Sequence, residues 1–564
     1  MLASAEGSKM TRDQRRISRR TRVGFLGAAA ALGVALAASA TSLASASGGQ
    51  PVAPLAAVRS QSLLVTTDKG QVEGRTTGTV DEWLGLPYAQ PPVGALRWAP
   101  PKPAASWTGV RSALPYGSRC AQLASGNGPR IDNENCLYAN VYAPSVIATG
   151  KKLPVLFMIH GGGLLNGAGD QYDGSLLVQS DDIIVVTINY RLGPFGLLNL
   201  PGLSRSEPAG NFSLLDMEAA LRWTKANIAA FGGDPSQVTI AGESAGGLAV
   251  CSLLASPPAK GLFDRAIMES GSCRSNSEAT AQAESLAFAK AAGCPTAATA
   301  AACLRGKGVA SLVSASANYV PIFYTYGGAD MPIPPLRAIA SGRFNRVPIL
   351  MGDNHDEGRL FTQGYAHDTR EQYAQFVTTS FGSLAPKVLA RYPLSAYPSP
   401  YRAAYAIGAL LTDSWLYGGI GGCGAQEVAS SLGKSTPVYF YQFDDRHAPG
   451  PNRSLPGYQF GAAHSMELAY LWPSFTNGYS LSAEFTPAQQ ELSRQMVAYW
   501  GAFTKSGSPD ASGQPRWPAY PASAGADARL MSLRPGDETR TITAATYGAE
   551  HQCSFWDSTP QPRS

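Results

Sequence analysis

Val238-Thr239-Ile240-Ala241-Gly242-Glu243-Ser244-Ala245-Gly246-Gly247 sets a serine between two glycines directly after a β-branched run. That is the layout of a strand that bends sharply into a helix and presents a nucleophile at the bend. A serine hydroxyl attacks a carbonyl only when it projects toward a base, and a bend this tight leaves room for little side chain on either side. Gly242 and Gly246 meet that demand. The same spacing occurs in ordinary glycine-rich turns, so the surrounding sequence has to decide.

Upstream, Leu153-Pro-Val-Leu-Phe-Met-Ile159 is an apolar run that leads into His160-Gly161-Gly162-Gly163. It reads as a buried strand ending in a glycine loop. Uncovered backbone N–H groups of such a loop stabilise the oxyanion formed when a serine attacks an ester carbonyl. A phosphate loop is the competing reading, and no Gly-Lys-Ser/Thr follows to support it.

Hydrolases with this bend place the acid and then the histidine after the serine in chain order. His464, in Gly461-Ala-Ala-His464-Ser-Met-Glu-Leu, has small residues before it and an apolar segment behind it. His447 and His551 stand among polar neighbours and read as surface residues. The acid follows Val347-Pro-Ile-Leu-Met-Gly352, another buried-strand pattern. Residue patterns alone leave Asp353, Asp356 and Glu357 open.

Several further blocks resemble one family over nearly the whole chain: Leu84-Gly-Leu-Pro-Tyr-Ala-Gln-Pro-Pro-Val-Gly-Ala-Leu-Arg-Trp98, Asn135-Cys136-Leu-Tyr-Ala-Asn-Val-Tyr-Ala-Pro144, Thr187-Ile-Asn-Tyr-Arg-Leu-Gly193 and Phe231-Gly-Gly-Asp-Pro235. With the serine motif they identify the chain as resembling the type-B carboxylesterase/lipase family, which includes cholinesterases, bacterial p-nitrobenzyl esterases and fungal lipases. The resemblance implies an α/β-hydrolase fold: a mainly parallel sheet with helices on both faces and helical insertions around an active-site gorge. It implies Ser244 as nucleophile, Glu357 as acid, since the family's acid is the glutamate of an Asp-Glu-Gly turn, and His464 as base. It further implies the N–H groups of Gly162, Gly163 and Ala245 as oxyanion donors. Glu243 and Ser270 match residues the family keeps near the triad and are read as supporting. The sequence departs from the family's usual acidic residue at Asn135 and usual glutamine at Met217, and neither departure removes a catalytic group.

The resemblance also supports Cys120–Cys136 and Cys294–Cys303 disulfides. Cys251 could then pair with Cys273 and Cys423 with Cys553, a pairing the sequence leaves open, with a buried free thiol at Cys251 as the alternative. The fifteen residues between Cys120 and Cys136 contain no aromatic residue. Choline esters are therefore not expected, because the cation–π partner is missing. Rich in glycine, asparagine and serine, the loop is also a poor amphipathic lid. The expected substrates are soluble short-chain or aryl esters in an open gorge. A lipase and a non-catalytic cholinesterase-like binding protein are the alternative functions. Phe323-Tyr-Thr-Tyr326 and Tyr439-Phe-Tyr-Gln-Phe443 are candidates for pocket walls or for core. His355 has no partner at metal-ligand spacing, so no metal or other cofactor is expected.

Residues 1–46 read as a signal peptide. Six arginines between Arg12 and Arg22 precede the uncharged run Val23 to Ala38, and Ala44-Ser45-Ala46 fits a small-residue cleavage site. An uncleaved anchor is the alternative, and the export route stays open between the general secretory and twin-arginine systems. This segment carries seven basic and two acidic side chains, an excess equal to the whole chain's +5. The remainder is neutral and offers no electrostatic case for nucleic acid. The expected protein is secreted, has no stable membrane association once the leader is removed, and takes a small-molecule ester as its partner. With 564 residues the chain allows several domains. No low-complexity linker separates the catalytic candidates, so residues 47–564 read as one catalytic domain. Ala281 to Val313 and the stretch between Glu357 and His464 are the candidate insertions.

Overall fold

The computed structural model describes residues 58–60, 62–203, 209–319, 323–450, 455–476 and 480–560. The chain divides into residues 1–57 and 58–564, and the expected leader lies outside the described residues.

Eleven strands form the main sheet: β1 (Arg75–Thr77), β2 (Val80–Pro87), β3 (Tyr138–Pro144), β4 (Leu153–Ile159), β5 (Ile184–Ile188), β6 (Gly233–Glu243), β7 (Arg265–Glu269), β8 (Ile349–Asn354), β9 (Val438–Phe443), β10 (Arg529–Leu533) and β11 (Arg540–Thr543). Their spatial order is β11-β10-β9-β8-β7-β6-β4-β5-β3-β2-β1. From β5 across to β10 every neighbouring pair is parallel, whereas β1, β2, β3 and β11 pair antiparallel at the two margins. A parallel sheet requires crossovers and has both faces covered. That is why β4 is apolar at every position instead of alternating.

Side-chain alternation sorts β4 into two cores. Val155, Phe157 and Ile159 join one cluster with Leu214, Met217 and Leu221 of α1 (Phe212–Asn227) and with Leu248 and Leu253 of α2 (Ala245–Ala255). Leu156 and Met158 join the other, with Leu492, Met496 and Phe503 of α4 (Pro487–Ser506). Each such fully buried side chain contributes roughly 1.5–3 kcal/mol. A buried ion pair ties the Thr187–Gly193 block to α1. Arg191 donates from Nε and Nη2 to the two carboxylate oxygens of Asp216 on α1, each at 2.7 Å.

Of the two expected insertions, the first is helical. It comprises Glu278–Ala291, Ala300–Arg305 and Val309–Ala315, whose Phe288 and Leu304 share a core with Trp98, Phe195 and Phe212. The second expectation needs correction. The stretch between Glu357 and His464 holds α3 (Arg402–Asp413) but also β9, so part of it belongs to the central sheet. The whole is an α/β-hydrolase fold.

Candidate active site

β6 ends at Glu243, α2 begins at Ala245, and Ser244 between them has φ 58° and ψ −119°. This strained bend depends on its glycines. A Cβ on Gly242 would lie 2.4 Å from the Gly246 carbonyl carbon, and one on Gly246 would lie 2.1 Å from the Ile159 oxygen. The Ser244 N–H donates to the Glu269 carbonyl at 3.0 Å, which fixes the bend on the neighbouring strand. β4 ends alongside and continues into Gly162 and Gly163, whose φ values of 103° and 65° favour glycine. Among the described residues neither N–H has a hydrogen-bond acceptor. Ala245 opens α2, where a first-turn N–H has no intrahelical acceptor.

Three loops past strand ends meet here. Glu357 follows β8 and is fully buried; its Oε1 accepts the Asn354 N–H at 2.8 Å and its Oε2 lies 2.5 Å from His464 Nδ1. Gly358 lets that turn settle on α3, since a Cβ there would sit 2.1 Å from the Gly408 oxygen. The loop of His464 is stitched to the same turn. Asp356 N–H donates to Ala462 O at 2.8 Å, and Asn354 Nδ2 donates to Ala463 O at 2.7 Å. The other two acids are engaged elsewhere: Asp353 accepts from Tyr547 Oη and the Gly422 N–H, each at 2.6 Å, and Asp356 pairs with Arg446 and Arg359. Of the three candidates, Glu357 is the one in contact with His464.

His464 Nε2 is buried, makes no hydrogen bond, and lies 3.3 Å from Glu243 Oε1. Burial alone would lower the imidazole pKa, but the carboxylates of Glu243 and Glu357 outweigh it and raise it to about 9. Glu243 is itself pushed well above the usual carboxylate range by burial. Behind these groups, burial raises Glu269 to about 8 and Glu467 to about 7, with neighbouring carboxylates adding to both. A bound imidazole with a carboxylate on Nδ1, an open Nε2 and a strained serine on one cavity is an arrangement for nucleophilic acyl transfer.

The Carboxylesterase family profile matches residues 61–556. This chain belongs to the carboxylesterase family. It is 36% identical over 474 residues to a para-nitrobenzyl esterase of Bacillus subtilis (strain 168), covering 81% of this chain and 92% of that one. To a fumonisin B1 esterase of Sphingopyxis macrogoltabida it is 34% identical over 499 residues, covering 84% and 87%. It superimposes on a solved PNB esterase with a TM-score of 0.72 at 32% identity, covering 87% of this chain and 100% of that one. The protein is a carboxylic ester hydrolase.

In this carboxylesterase, Ser244, His464 and the glycine loop line one cavity of about 380 Å³. Phe323 reaches it, whereas Tyr324 lies in the core, as do Phe440, Tyr441 and Phe443 of β9. Ser270 is buried with φ 47° and does not line the cavity; Ser272 does, donating its hydroxyl to Gly418 O at 2.5 Å. Sequence reasoning missed Ser272, and it missed the wall residues Asn166, Tyr417 and Ile420. Asn166 follows the glycine loop closely enough to have been found from that adjacency. All eight cysteines pair as Cys120–Cys136, Cys251–Cys273, Cys294–Cys303 and Cys423–Cys553. The free thiol at Cys251 is therefore overturned. His447 is exposed as expected, but His551, expected at the surface, is only 1% exposed, held between Asp413 and Gln442. The ion pair in the cysteine block is made by Glu134 with Arg97 and bypasses Asn135. Among the described residues no helix is long and apolar enough to cross a membrane.

Proposed function

We propose that this carboxylesterase is exported after loss of residues 1–46 and hydrolyses small carboxylic esters, preferring short-chain or aryl ones, through an acyl-enzyme on Ser244. His464 Nε2 takes the Ser244 proton as Oγ attacks the ester carbonyl. The oxyanion lies against the N–H groups of Gly162, Gly163 and Ala245. Collapse expels the alcohol, protonated by His464, and water then attacks the acyl-enzyme with the same base assisting. Glu357 holds Nδ1–H, which keeps Nε2 available as the acceptor. Glu243, 3.3 Å from Nε2, and the buried Ser270 act as supporting residues.

The observation that carries the reading is His464: its Nδ1 is held by Glu357 at 2.5 Å, its Nε2 makes no hydrogen bond, and His464 and Ser244 line the same cavity. Four disulfides support export, because such bonds persist in oxidising compartments. Preference for short chains is supported by the Cys120–Cys136 loop. It is pinned across itself by bridges at Gln122 with Ile131 and Ser125 with Gly128, a poor basis for an amphipathic lid.

The test is hydrolysis of p-nitrophenyl acetate, butyrate and palmitate by the exported form beside Ser244→Ala. Activity should fall with chain length and vanish in the variant. Preference for palmitate would replace the reading with a lipase.

A further inference from the structure

The cavity has two chemically different ends. At one end the Phe361 and Tyr417 rings lie 4.6 Å apart, with Phe361 also 5.0 Å from the His464 ring. Phe323 continues this apolar wall beside Gly418, where a Cβ would come 3.0 Å from the ring. The other end is built from side-chain amides. Asn127 Nδ2 donates to Asn166 Oδ1 at 2.6 Å, Gln171 Nε2 donates to Asn127 Oδ1 at 3.3 Å, and Gln171 Oε1 accepts the Ala168 N–H at 3.0 Å. Arg119 clamps this wall from behind, donating to the Asn127 carbonyl at 2.6 Å and to Asp170 at 2.8 Å.

The wiring uses up acceptors and leaves donors. Among the described residues Asn166 Nδ2 donates to nothing, Asn127 Nδ2 keeps its second hydrogen, and Ser125 Oγ accepts the Asn127 N–H at 3.1 Å without donating. All three residues line the cavity, and no lysine or arginine lines it. Such a wall suits uncharged oxygen acceptors and supplies no cation to pair with a carboxylate.

The proton donor stands between these two ends. His464 Nε2 must deliver a proton to the leaving alcohol, and Nε2 faces Glu243 at 3.3 Å. Glu243 packs against Gly161, where a Cβ would sit 2.7 Å from its Oε2. The Gly161 N–H in turn reaches Tyr172 Oη at 3.5 Å, next in sequence to Gln171. By polarity, the hydroxyl-bearing half of an ester is matched by the amide end and the apolar half by the aromatic end.

We propose that this cavity selects esters of an uncharged polyol with an apolar acyl group, Asn166, Asn127 and Ser125 donating hydrogen bonds to the hydroxyl oxygens of the alcohol half. The proposal rests on the Ser244–His464 reading above. Its test is internal competition between 1-glyceryl monobutyrate and propyl butyrate, which share the acyl group and the three-carbon alcohol skeleton and differ by two hydroxyls. Two net hydrogen bonds predict a kcat/KM ratio of about tenfold in favour of the glyceryl ester. Asn166→Leu should bring the ratio to about one, and Ser125→Ala should lower it less. Because both esters compete for the same molecules, the ratio does not depend on how much of a variant folds. A wild-type ratio of about one or below, or a ratio unmoved in both variants, overturns the proposal. So does a wild type that cleaves p-nitrophenyl butyrate but not the glyceryl ester. Loss of the underlying reading looks different: p-nitrophenyl butyrate would then be cleaved equally by wild type and Ser244→Ala.

Discussion

Two buried histidine–carboxylate pairs stand on this fold, and they do opposite work. His464 is held at Nδ1 by Glu357 at 2.5 Å, and its Nε2 is open. His551 is held at Nδ1 by Asp413 at 2.8 Å, but its Nε2 is closed by Gln442 Nε2 at 2.6 Å. Asp413 also accepts the Tyr392 hydroxyl at 2.8 Å, and Tyr392 Oη accepts the Trp556 indole N–H at 2.6 Å. In both imidazoles burial opposes the charge and a neighbouring carboxylate raises the pKa. The dyad alone is therefore not what makes a base. The difference lies beyond Nε2, where one ring meets a cavity with a strained serine and the other meets an amide in a chain that binds the C-terminal helix Cys553–Asp557 to α3.

The largest effect that would break this contrast belongs to the open pair. Ser244→Ala should lower kcat on p-nitrophenyl butyrate by about 10⁴-fold or more while leaving the unfolding midpoint nearly unchanged, since triad members act as one unit. A variant that kept a tenth of the activity would remove Ser244 from the chemistry.

Beside the closed pair, Cys423–Cys553 bridges a sequence separation of 130 residues. A loop that long restrains the unfolded chain by about 4–5 kcal/mol in the chain-entropy account. The double substitution Cys423→Ala/Cys553→Ala should therefore lower the denaturation midpoint strongly, and correctly folded molecules should retain kcat. Loss of kcat per titrated active site, with the midpoint held, would mean that the closed region reaches the chemistry after all.

His551→Ala tests the same separation with a smaller change. It leaves Asp413 buried without its imidazole and opens a cavity, and such losses cost about 2–4 kcal/mol. Stability by urea unfolding should fall accordingly, with kcat/KM within about twofold of wild type. Equal losses in both measurements would make the second dyad functional.

The contrast also explains what could be read from the sequence. Ser244 was legible because a bend that admits no Cβ at Gly242 or Gly246 writes itself into consecutive positions. The parallel sheet was legible because β4, buried on both faces, has no polar position. Glu357 was not separable from Asp353 and Asp356 by pattern. Asp353 lies at the end of β8 and the other two just past it, and the choice depends on where the loop of His464 docks, a contact 107 residues away in sequence. His551 was misread for the same reason. Its neighbours Glu550 and Gln552 are polar, while the partner that buries it, Asp413, is 138 residues distant. The amide wall was invisible because Asn127, Asn166 and Gln171 come from two loops that Arg119 and the Gln122–Gly167 hydrogen bonds bring together.

The smallest expected effect sharpens the comparison instead of breaking it. His464 must be neutral to take the serine proton, so activity is present above its pKa and lost as pH falls through it. The Glu243 carboxylate, 3.3 Å from Nε2, raises that pKa, which stands at about 9 with both glutamates acting. Glu243→Gln removes one source of that rise and keeps the shape of the side chain. The acid limb of kcat/KM should then move to lower pH, with Glu357 still holding Nδ1. The closed pair has only a remote connection to this limb, and Asp413→Asn should leave it in place while lowering stability. A limb that stayed fixed in Glu243→Gln would mean that burial keeps Glu243 protonated across the whole titration of His464, so that Glu357 alone sets the base. A limb that moved upward would require Glu243 to act through something other than its charge.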